Sequence, residues 1–208
     1  MQILGQQHRI AGRDEPLRRL GAAIDAAAHG HRSALLVTGQ AGMGKTSLLA
    51  AAVAAGTGDG AIVGWGTCWH GEGAPGFWPW MQAMGGLARA VGRAAAADAA
   101  GGDREVLATF VRELGPPVET SADPERHRLL LLDVAVRWIE ALAVDRRVVV
   151  VLDDLQWADE SSLDLLDHLV AAPLPVALSV FGAYRHDELD RHRRARMAKL
   201  ASHLECVH

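Results

Sequence analysis

One stretch of the chain constrains its fold more than any other: a glycine-rich segment between an apolar run and an apolar helical pattern. Residues 39–46 read GQAGMGKT and fit the pattern GxxxxGK[ST]. Residues 34–38 before it have the composition of a buried strand, and residues 46–55 after it predict a helix. Glycines let the backbone fold closely around phosphate groups, and the start of the following helix offers N–H groups without partners in the helix. The segment is therefore predicted to be a phosphate-binding loop of the Walker A type.

The side chains of this loop have separate predicted roles. Lys45 adds a positive charge toward the β- and γ-phosphates of bound ATP or ADP, and the hydroxyl of Thr46 is a candidate ligand of Mg²⁺. The alternative, a glycine-rich turn that contains a lysine by chance, is disfavoured by the flanking strand and helix. The predicted nucleotide-binding residues of this segment are Gly39, Gln40, Ala41, Gly42, Met43, Gly44, Lys45, Thr46 and Ser47.

A second candidate site follows four valines and a leucine. Residues 148–152 read VVVVL and are followed by Asp153 and Asp154, which is the hydrophobic strand and acid of a Walker B element. In an open α/β sheet, ligands bind beyond the carboxyl ends of the strands, so Asp153 is expected to face the phosphate loop. Mg²⁺ keeps several waters and needs few carboxylates, so Asp153 and Thr46 are the predicted metal residues. Asp154 is predicted to orient or deprotonate the attacking water, or else to be a helix cap or a surface acid.

The order of the patterns along the chain indicates the fold class. Short β-branched runs alternate with helical stretches, which is typical of βαβ units around a parallel sheet. We expect an α/β fold of the P-loop NTPase type, with three layers and one nucleotide-binding domain over residues 1–208, ending in or just after a fifth strand. Strands are predicted at 34–38, 61–67, 148–152, 176–183 and near 203–207; helices from residue 14 and at 46–55, 81–100, 103–114, 123–144, 161–170 and 191–204; and a loop at 70–80.

Composition narrows the class of protein. Hydrophobic residues make up 50% of the chain, so it is expected to fold, and the net charge of −4 gives no general attraction for nucleic acid. The first residues lack the pattern of a signal peptide, and the longest apolar stretches, near 148–152 and 174–181, are too short to span a membrane. The two cysteines, Cys68 and Cys206, are far apart, so a reducing, cytoplasmic location is predicted.

Together these motifs resemble a known family. The segments GRDEPLRRL, GQAGMGKTSLL, VVVVLDDLQWADESSLDLL and GAYR lie between Gly12 and Arg185. They are similar to those of the signal-transduction ATPases with numerous domains (STAND), which are P-loop ATPases with an AAA-type fold. Within that class the chain is most similar to the ATPase module of large ATP-binding LuxR-type transcriptional regulators, which also share the loop GEGAPGFWPW. The resemblance implies a nucleotide-driven switch that hydrolyses ATP slowly and oligomerises in response to a ligand.

The resemblance also implies roles for two arginines. Residues 12–15, which read GRDE, would lie near the adenine and the ribose, and this makes Arg13 a candidate nucleotide contact. Arg185, at the end of the fourth strand, would take the place of the sensor arginine near the γ-phosphate, so it joins Asp154 as a predicted catalytic residue. The residues alone leave other roles open. Arg13 is then a surface arginine, and Arg185 forms a salt bridge with a neighbouring acid, either Asp187 or Glu188.

Members of that family usually continue beyond the region that this chain resembles. They carry a helical lid, a winged-helix domain, sensor repeats and often a C-terminal helix-turn-helix, whereas this sequence stops at Val207-His208. The resemblance therefore predicts a fragment or a truncated product in which the lid and the winged-helix domain are missing. Its expected partners are an adenine nucleotide and either other domains of a longer parent protein or further copies of itself.

Several observations keep other interpretations open. A small-molecule kinase shares the phosphate loop but needs an acceptor pocket and an arginine-rich lid, and a remnant would bind nucleotide weakly without catalysis. The tryptophans within residues 65–80 are either a docking surface or anchors of the core and loop. The basic run within 191–199 either attracts nucleic acid or is a solvated helix face, and the second is favoured. Neither a membrane nor direct nucleic-acid binding is predicted for this chain.

Overall fold

Strands and helices alternate along the chain. The computed structural model describes residues 13–58, 60–71, 73–117, 123–172, 175–202 and 204–207. The elements are, in order, α1 Asp14–Ala28, β1 Ser33–Thr38, α2 Lys45–Gly56, β2 Ile62–Thr67, α3 Trp78–Val91, α4 Arg93–Ala100, α5 Arg104–Leu107, α6 Pro124–Val144, β3 Val148–Asp153, α7 Glu160–Ala171, β4 Leu178–Tyr184, α8 Arg191–Ala201 and β5 Glu205–Val207. The α/β class predicted from the sequence is confirmed, and so is the fifth strand.

The strands form one parallel sheet in the order β2-β3-β4-β1-β5. β1 lies between β4 and β5, and Leu35 on β1 is opposite Phe181 on one side and Glu205 on the other. β3 lies between β2 and β4, and its last residue, Asp153, is opposite Thr67. Because the strands all run the same way, the ends of β1, β3 and β4 meet at one edge of the sheet. The phosphate loop and the two acids of the Walker B element therefore come to the same edge.

Helices cover both faces of the sheet, which gives the three predicted layers. α1 and α2 pack on one face against alternate strand residues such as Leu35 and Val151. α3, α6, α7 and α8 pack on the other face against residues of the opposite parity, such as Leu36 and Val150. Every residue of β3 is buried. This explains its run of valines, because a central strand covered on both faces has no solvent side to carry polar residues.

The edge strand β2 carries two glycines because α3 lies directly on it. A Cβ atom at Gly66 would lie 1.9 Å from the carbonyl oxygen of Pro79. One at Gly64 would lie 2.5 Å from the carbonyl oxygen of Ala83. Both distances are far shorter than van der Waals contact, so only glycine lets the helix backbone approach this closely.

Three predicted elements are wrong in part. The loop predicted over 70–80 is helical from Trp78, because Pro79 occupies the first turn of α3, where a missing N–H costs nothing. The single helix predicted over 103–114 is the short α5 followed by a separate 3-10 turn, Arg112–Leu114. Between them Phe110 packs edge-on against Phe77, with ring centroids 5.2 Å apart, and this tertiary contact overrides the helical spacing. The predicted helix over 81–100 also breaks between Val91 and Arg93.

Candidate nucleotide-binding site

The phosphate loop joins β1 to α2 at the carboxyl edge of the sheet. Gly42 and Gly44 have φ angles of 75° and 72°, a left-handed conformation that favours glycine. Gly44 directly precedes α2 and has no side chain with which to cap it. The first N–H groups of α2 are therefore left for an anion at the positive end of the helix dipole. The predicted loop residues thus adopt a backbone suited to cradling phosphate.

Lys45 is buried, and its ammonium group bonds to the loop that carries it. The Nζ atom donates to the carbonyl oxygen of Gly39 at 2.9 Å and to that of Gln40 at 2.8 Å. Burial lowers the pKa of Lys45, the positive charge of Arg185 lowers it further, and Asp154 is the first of the nearby acids that raise it. A phosphate in the loop would oppose the lowering of this pKa, because it would bring negative charge to a buried cation.

Thr46 and Asp153 touch although 107 positions separate them in the sequence. The Thr46 hydroxyl donates to Oδ2 of Asp153 at 2.6 Å, and the backbone N–H of Asp154 donates to Oδ1 at 2.9 Å. Asp153 is only 4% exposed. Burial raises the pKa of its carboxyl group, while the hydrogen bond from Thr46 acts in the opposite sense. The structure thus brings the two predicted metal residues together, with Lys45 on the same loop.

Asp154 stands in an unusual backbone conformation next to this pair. Its φ is 56°, in the left-handed region that residues other than glycine seldom adopt. Its Oδ1 atom accepts a hydrogen bond from Nε2 of Gln156 at 2.8 Å and lies 3.3 Å from Nη2 of Arg185. It stands at the capping position of the 3-10 turn that follows, but its side chain forms no capping bond to that turn.

Arg185 lies between two acids. Besides the contact with Asp154, its Nη1 atom donates to Oε1 of Glu188 at 2.7 Å. The structure therefore places Arg185 beside the candidate site and also in a local salt bridge with one of the two acids that the alternative named. Its charge is shared between these carboxylates, so a phosphate would have to compete with them for the guanidinium group.

Arg13 reaches the phosphate loop from the start of α1. Its Nη1 atom donates to the carbonyl oxygen of Gly44 at 2.8 Å, and the residue is half-buried. The residue before it, Gly12, lies outside the described residues. Arg13 holds the position directly before α1, and Asp14 lies within the first turn of that helix. A negative charge in the first turn still interacts favourably with the positive end of the helix dipole.

Two polar residues that sequence reasoning missed organise the segment after Asp154. Gln156 is fully buried, and its Oε1 atom accepts from the backbone N–H of Arg185 at 3.0 Å. Asp159 accepts from the N–H of Ser162 at 3.0 Å, which caps α7, and from the N–H of Phe77 at 3.4 Å. Their positions could have signalled both: Gln156 is a polar residue between Leu155 and Trp157, and Asp159 directly precedes a helical pattern, where an aspartate often caps.

A cleft of about 620 Å³ opens beside the acid and the arginine. In it the rings of His70 and Trp157 meet edge-on, with centroids 4.0 Å apart. Trp80, also from the predicted aromatic segment, is buried and donates from its indole N–H to the carbonyl oxygen of Ser162 at 2.9 Å, whereas Trp69 is 56% exposed. The tryptophans thus include both a core anchor and an exposed ring. The cleft is lined by Cys68, His70, Asp154, Trp157, Arg185 and Glu188.

Two arginines of the basic run near the C-terminal end are held by neighbouring segments, whereas the other members of the run are exposed. Arg196 pairs with Asp164 of α7 at 2.9 Å and also with Asp167. Arg193 donates to the carbonyl oxygen of Ala158 at 2.5 Å. These contacts attach α8 to α7, so the description of the run as a solvated helix face is only partly correct.

Among the described residues, no group of three or more histidine, cysteine, aspartate or glutamate side chains is placed to hold a metal ion by itself. A metal at Thr46 and Asp153 would therefore need further oxygen ligands, which phosphates and water supply. No helix within the described ranges is long and apolar enough to cross a membrane.

Comparisons with known proteins bear on the whole of this architecture. Residues 9–180 match the family model described as AAA ATPase domain. A crystal structure of Cdc6p from Pyrobaculum aerophilum matches with a TM-score of 0.44 and 19% sequence identity, over 96% of this chain and 46% of that one. The chain thus spans less than half the length of that protein. No match was found among curated proteins.

Proposed function

Because the chain belongs to the AAA ATPase domain family, we propose that it binds ATP with Mg²⁺ and hydrolyses it slowly, as a nucleotide-driven switch. One observation supports this most strongly. The hydroxyl of Thr46 follows Lys45 at the end of the glycine-rich loop. It lies 2.6 Å from the buried carboxylate of Asp153. A cation and a hydroxyl at the start of a helix, beside a carboxylate at the end of a strand, are the groups that P-loop ATPases use on phosphates and Mg²⁺.

Nucleotide binding is assigned to the loop. Lys45 contacts the β- and γ-phosphates, and the backbone N–H groups of Gly42, Gly44 and the first turn of α2 surround them. Arg13 lies against the loop at Gly44, and the resemblance to STAND ATPases places it near the ribose and the adenine. The remaining loop residues shape the cradle and are Gly39, Gln40, Ala41, Met43, Thr46 and Ser47.

The residues present fit Mg²⁺. One carboxylate and one hydroxyl, 2.6 Å apart, offer hard oxygen atoms, which this ion prefers, and they leave most of its positions for phosphate and water. Thr46 and Asp153 would hold the ion. When bound, Mg²⁺ neutralises negative charge on the phosphates and orients them.

Hydrolysis is assigned to Asp154 and Arg185. Asp154 accepts the proton of a water whose oxygen attacks the γ-phosphorus, while the bond to the bridging oxygen breaks and ADP leaves. Arg185 stabilises negative charge on the transferred group. Because its guanidinium group is already paired with Asp154 at 3.3 Å and with Glu188 at 2.7 Å, part of its charge is neutralised, which accounts for slow turnover.

The wider setting comes from the resemblance to STAND regulators. We infer that the domain works as the nucleotide-binding module of a multidomain transcriptional regulator, in which bound ATP controls contacts with other domains or further copies. The domain by itself is expected not to assemble on addition of ATP, because a switch needs a second element whose contacts differ between nucleotide states. A stable ATP-dependent oligomer in light scattering of these 208 residues would contradict that expectation.

Calorimetry with Mg·ATP, followed by a phosphate-release assay on the same preparation, tests the proposal. Binding with turnover well below about 10 per second, the median for enzymes, is expected. Consumption of ATP in excess of phosphate release, in the presence of candidate acceptors, would instead indicate a small-molecule kinase. Saturable binding with no product of either kind would indicate a remnant, and no binding at all would exclude the proposed function.

A further inference from the structure

The side chain of Gln156 joins the two groups to which hydrolysis is assigned. It lies in the 3-10 turn Leu155–Trp157, which begins directly after the left-handed residue Asp154. This turn brings the side chain back into the core, where none of it is exposed. A buried amide costs free energy unless its polar atoms are hydrogen-bonded. The hydrogen-bond partners of Gln156 therefore explain why a polar residue is found at this buried position.

The oxygen and the nitrogen of the Gln156 amide each have a hydrogen-bond partner, a donor for the oxygen and an acceptor for the nitrogen. Its Oε1 atom accepts from the backbone N–H of Arg185 at 3.0 Å, and its Nε2 atom donates to Oδ1 of Asp154 at 2.8 Å. Since a backbone N–H can only donate, it fixes which end of the amide carries the oxygen, and the NH₂ group must then face the carboxylate. The amide therefore has one orientation, and it ties the end of β3 to the end of β4.

This contact also distinguishes the two oxygens of Asp154. Oδ1 receives the amide of Gln156 and lies 3.3 Å from Nη2 of Arg185. Within the described part of the chain, Oδ2 takes no hydrogen bond. A carboxylate held through one oxygen by a hydrogen bond and an ion pair cannot rotate freely, and its other oxygen stays available to a further donor such as water.

We propose that Gln156 is a positioning residue for ATP hydrolysis: it fixes the carboxylate of Asp154 so that Oδ2 meets the attacking water, and it links that carboxylate to Arg185. The inference rests on the proposed function of the site. It goes beyond that function in assigning a role to a residue that touches neither nucleotide nor water. A change of a few tenths of an ångström at Arg185 would be transmitted to Asp154 through one rigid amide.

Two substitutions test this role in different ways. Gln156→Glu keeps an acceptor for the N–H of Arg185 but sets a second carboxylate against Asp154. Gln156→Met keeps the length of the side chain and removes both hydrogen bonds without adding charge. Gln82→Glu is the matched control. The Gln82 amide also donates to an oxygen at the end of a strand, the carbonyl oxygen of Thr67 at 3.0 Å, but this strand is β2 at the edge of the sheet and the contact is exposed.

Single-turnover phosphate release is measured for each variant over a range of ATP concentrations. Both Gln156 variants are expected to lower the rate by roughly 10- to 100-fold, the scale of a small misplacement of a catalytic group, with half-saturating ATP within about threefold of the unmodified protein.

The outcomes separate the inference from the function on which it rests. An unmodified protein that binds no ATP or releases no phosphate defeats the proposed function, and the inference with it. An active protein in which Gln156→Met or Gln156→Glu keeps the unmodified rate overturns the inference alone. If affinity, melting temperature and rate fall together in both variants, the amide is structural and the positioning role is wrong.

Discussion

The phosphate loop and the network around Asp154 lie at the same edge of the sheet but are held in different ways. In the loop, Lys45 bonds to the carbonyl oxygens of Gly39 and Gln40, six and five positions away in the sequence. In the network, the contacts of Asp154 come from Gln156, in the turn after β3, and from Arg185, after β4. The loop is thus built locally, whereas the network depends on the register of two strands.

This difference implies different responses to nucleotide. The ammonium group of Lys45 is occupied by the loop's own carbonyl oxygens and must share or exchange those bonds when phosphate arrives. The carboxylate of Asp154 is already oriented by its neighbours. We therefore expect binding to depend on the loop and hydrolysis to depend on the network, so that substitutions in the two regions alter different quantities.

The largest effect is expected from Asp154→Asn. The variant loses the group that accepts the proton of the attacking water, which typically contributes at least about 100-fold in rate. Binding should be unchanged within about threefold, because the phosphate loop is intact. Single-turnover phosphate release measures the rate, and Asp98→Asn, at an exposed position on α4, is the control. A rate equal to that of the unmodified protein would make Asp154 a structural residue.

Lys45→Met is expected to have the next largest effect, on affinity. Loss of one side of a buried pair of charges costs about 2–5 kcal/mol, which is roughly 30-fold or more in the dissociation constant for ATP. Calorimetry at constant salt measures it. Lys199→Met, at an exposed position of α8, is the matched control and should bind like the unmodified protein. Equal affinity in Lys45→Met would remove the phosphate loop from nucleotide binding.

A smaller effect is expected from Gly44→Ala, which alters the backbone of the loop. Left-handed geometry costs an alanine about 1–2 kcal/mol, and a Cβ at Gly44 would also lie 3.2 Å from Nη1 of Arg13. Gly42→Ala has the same backbone strain but open space around its Cβ. The difference in the free energy of unfolding between the two variants therefore isolates the contact of the Cβ with Arg13. Denaturant unfolding measures both stabilities. Identical losses would show that the contact with Arg13 is unimportant.

The smallest effect, and one of opposite sign, is expected from Asp153→Asn. Burial raises the pKa of Asp153, so the charged carboxylate opposes folding at neutral pH, and its removal should stabilise the nucleotide-free protein. The gain should shrink as the pH falls through the raised pKa toward the ordinary value near 3.9, because the native acid then becomes neutral too. Each 1 kcal/mol corresponds to about 2–4 °C in a chain of this size. Lower stability than the unmodified protein at neutral pH would contradict this account.

The same variant should bind ATP less tightly in Mg²⁺, since an amide holds the ion less well than a carboxylate. Stability and binding are therefore expected to move in opposite directions at this position. The affinity measured without Mg²⁺ is the control, and it should not fall. Equal weakening with and without Mg²⁺ would show that Asp153 does not act through the metal.

The phosphate loop could be predicted from the sequence almost completely, because its geometry is local. Two left-handed glycines, a strand before them and a helix after them fix where Lys45 and Thr46 stand. The long buried strand of valines was equally clear, since only a strand covered on both faces tolerates such a run. The pairing of Thr46 with Asp153 needed one further step, the general rule that sites form at the carboxyl ends of parallel strands.

The network was less predictable, because its contacts depend on how separate segments pack. The left-handed conformation of Asp154 and the bridge made by Gln156 follow from the turn after β3, for which the sequence offered no glycine or proline signal. The same reason explains the broken helix after Leu107. In each case a tertiary contact, such as that between Phe77 and Phe110, decided the local structure.

The most direct test of this division of labour is the dependence of single-turnover phosphate release on ATP concentration, compared among the unmodified protein, Lys45→Met and Asp154→Asn. One curve for each protein gives both a half-saturating concentration and a maximal rate. The account predicts that Lys45→Met raises the half-saturating concentration by roughly 30-fold or more. It predicts that Asp154→Asn lowers the maximal rate by about 100-fold or more at an unchanged half-saturating concentration. If both variants changed the same parameter, or if neither changed its own, the phosphate loop and the Asp154 network would not have the separate roles assigned to them.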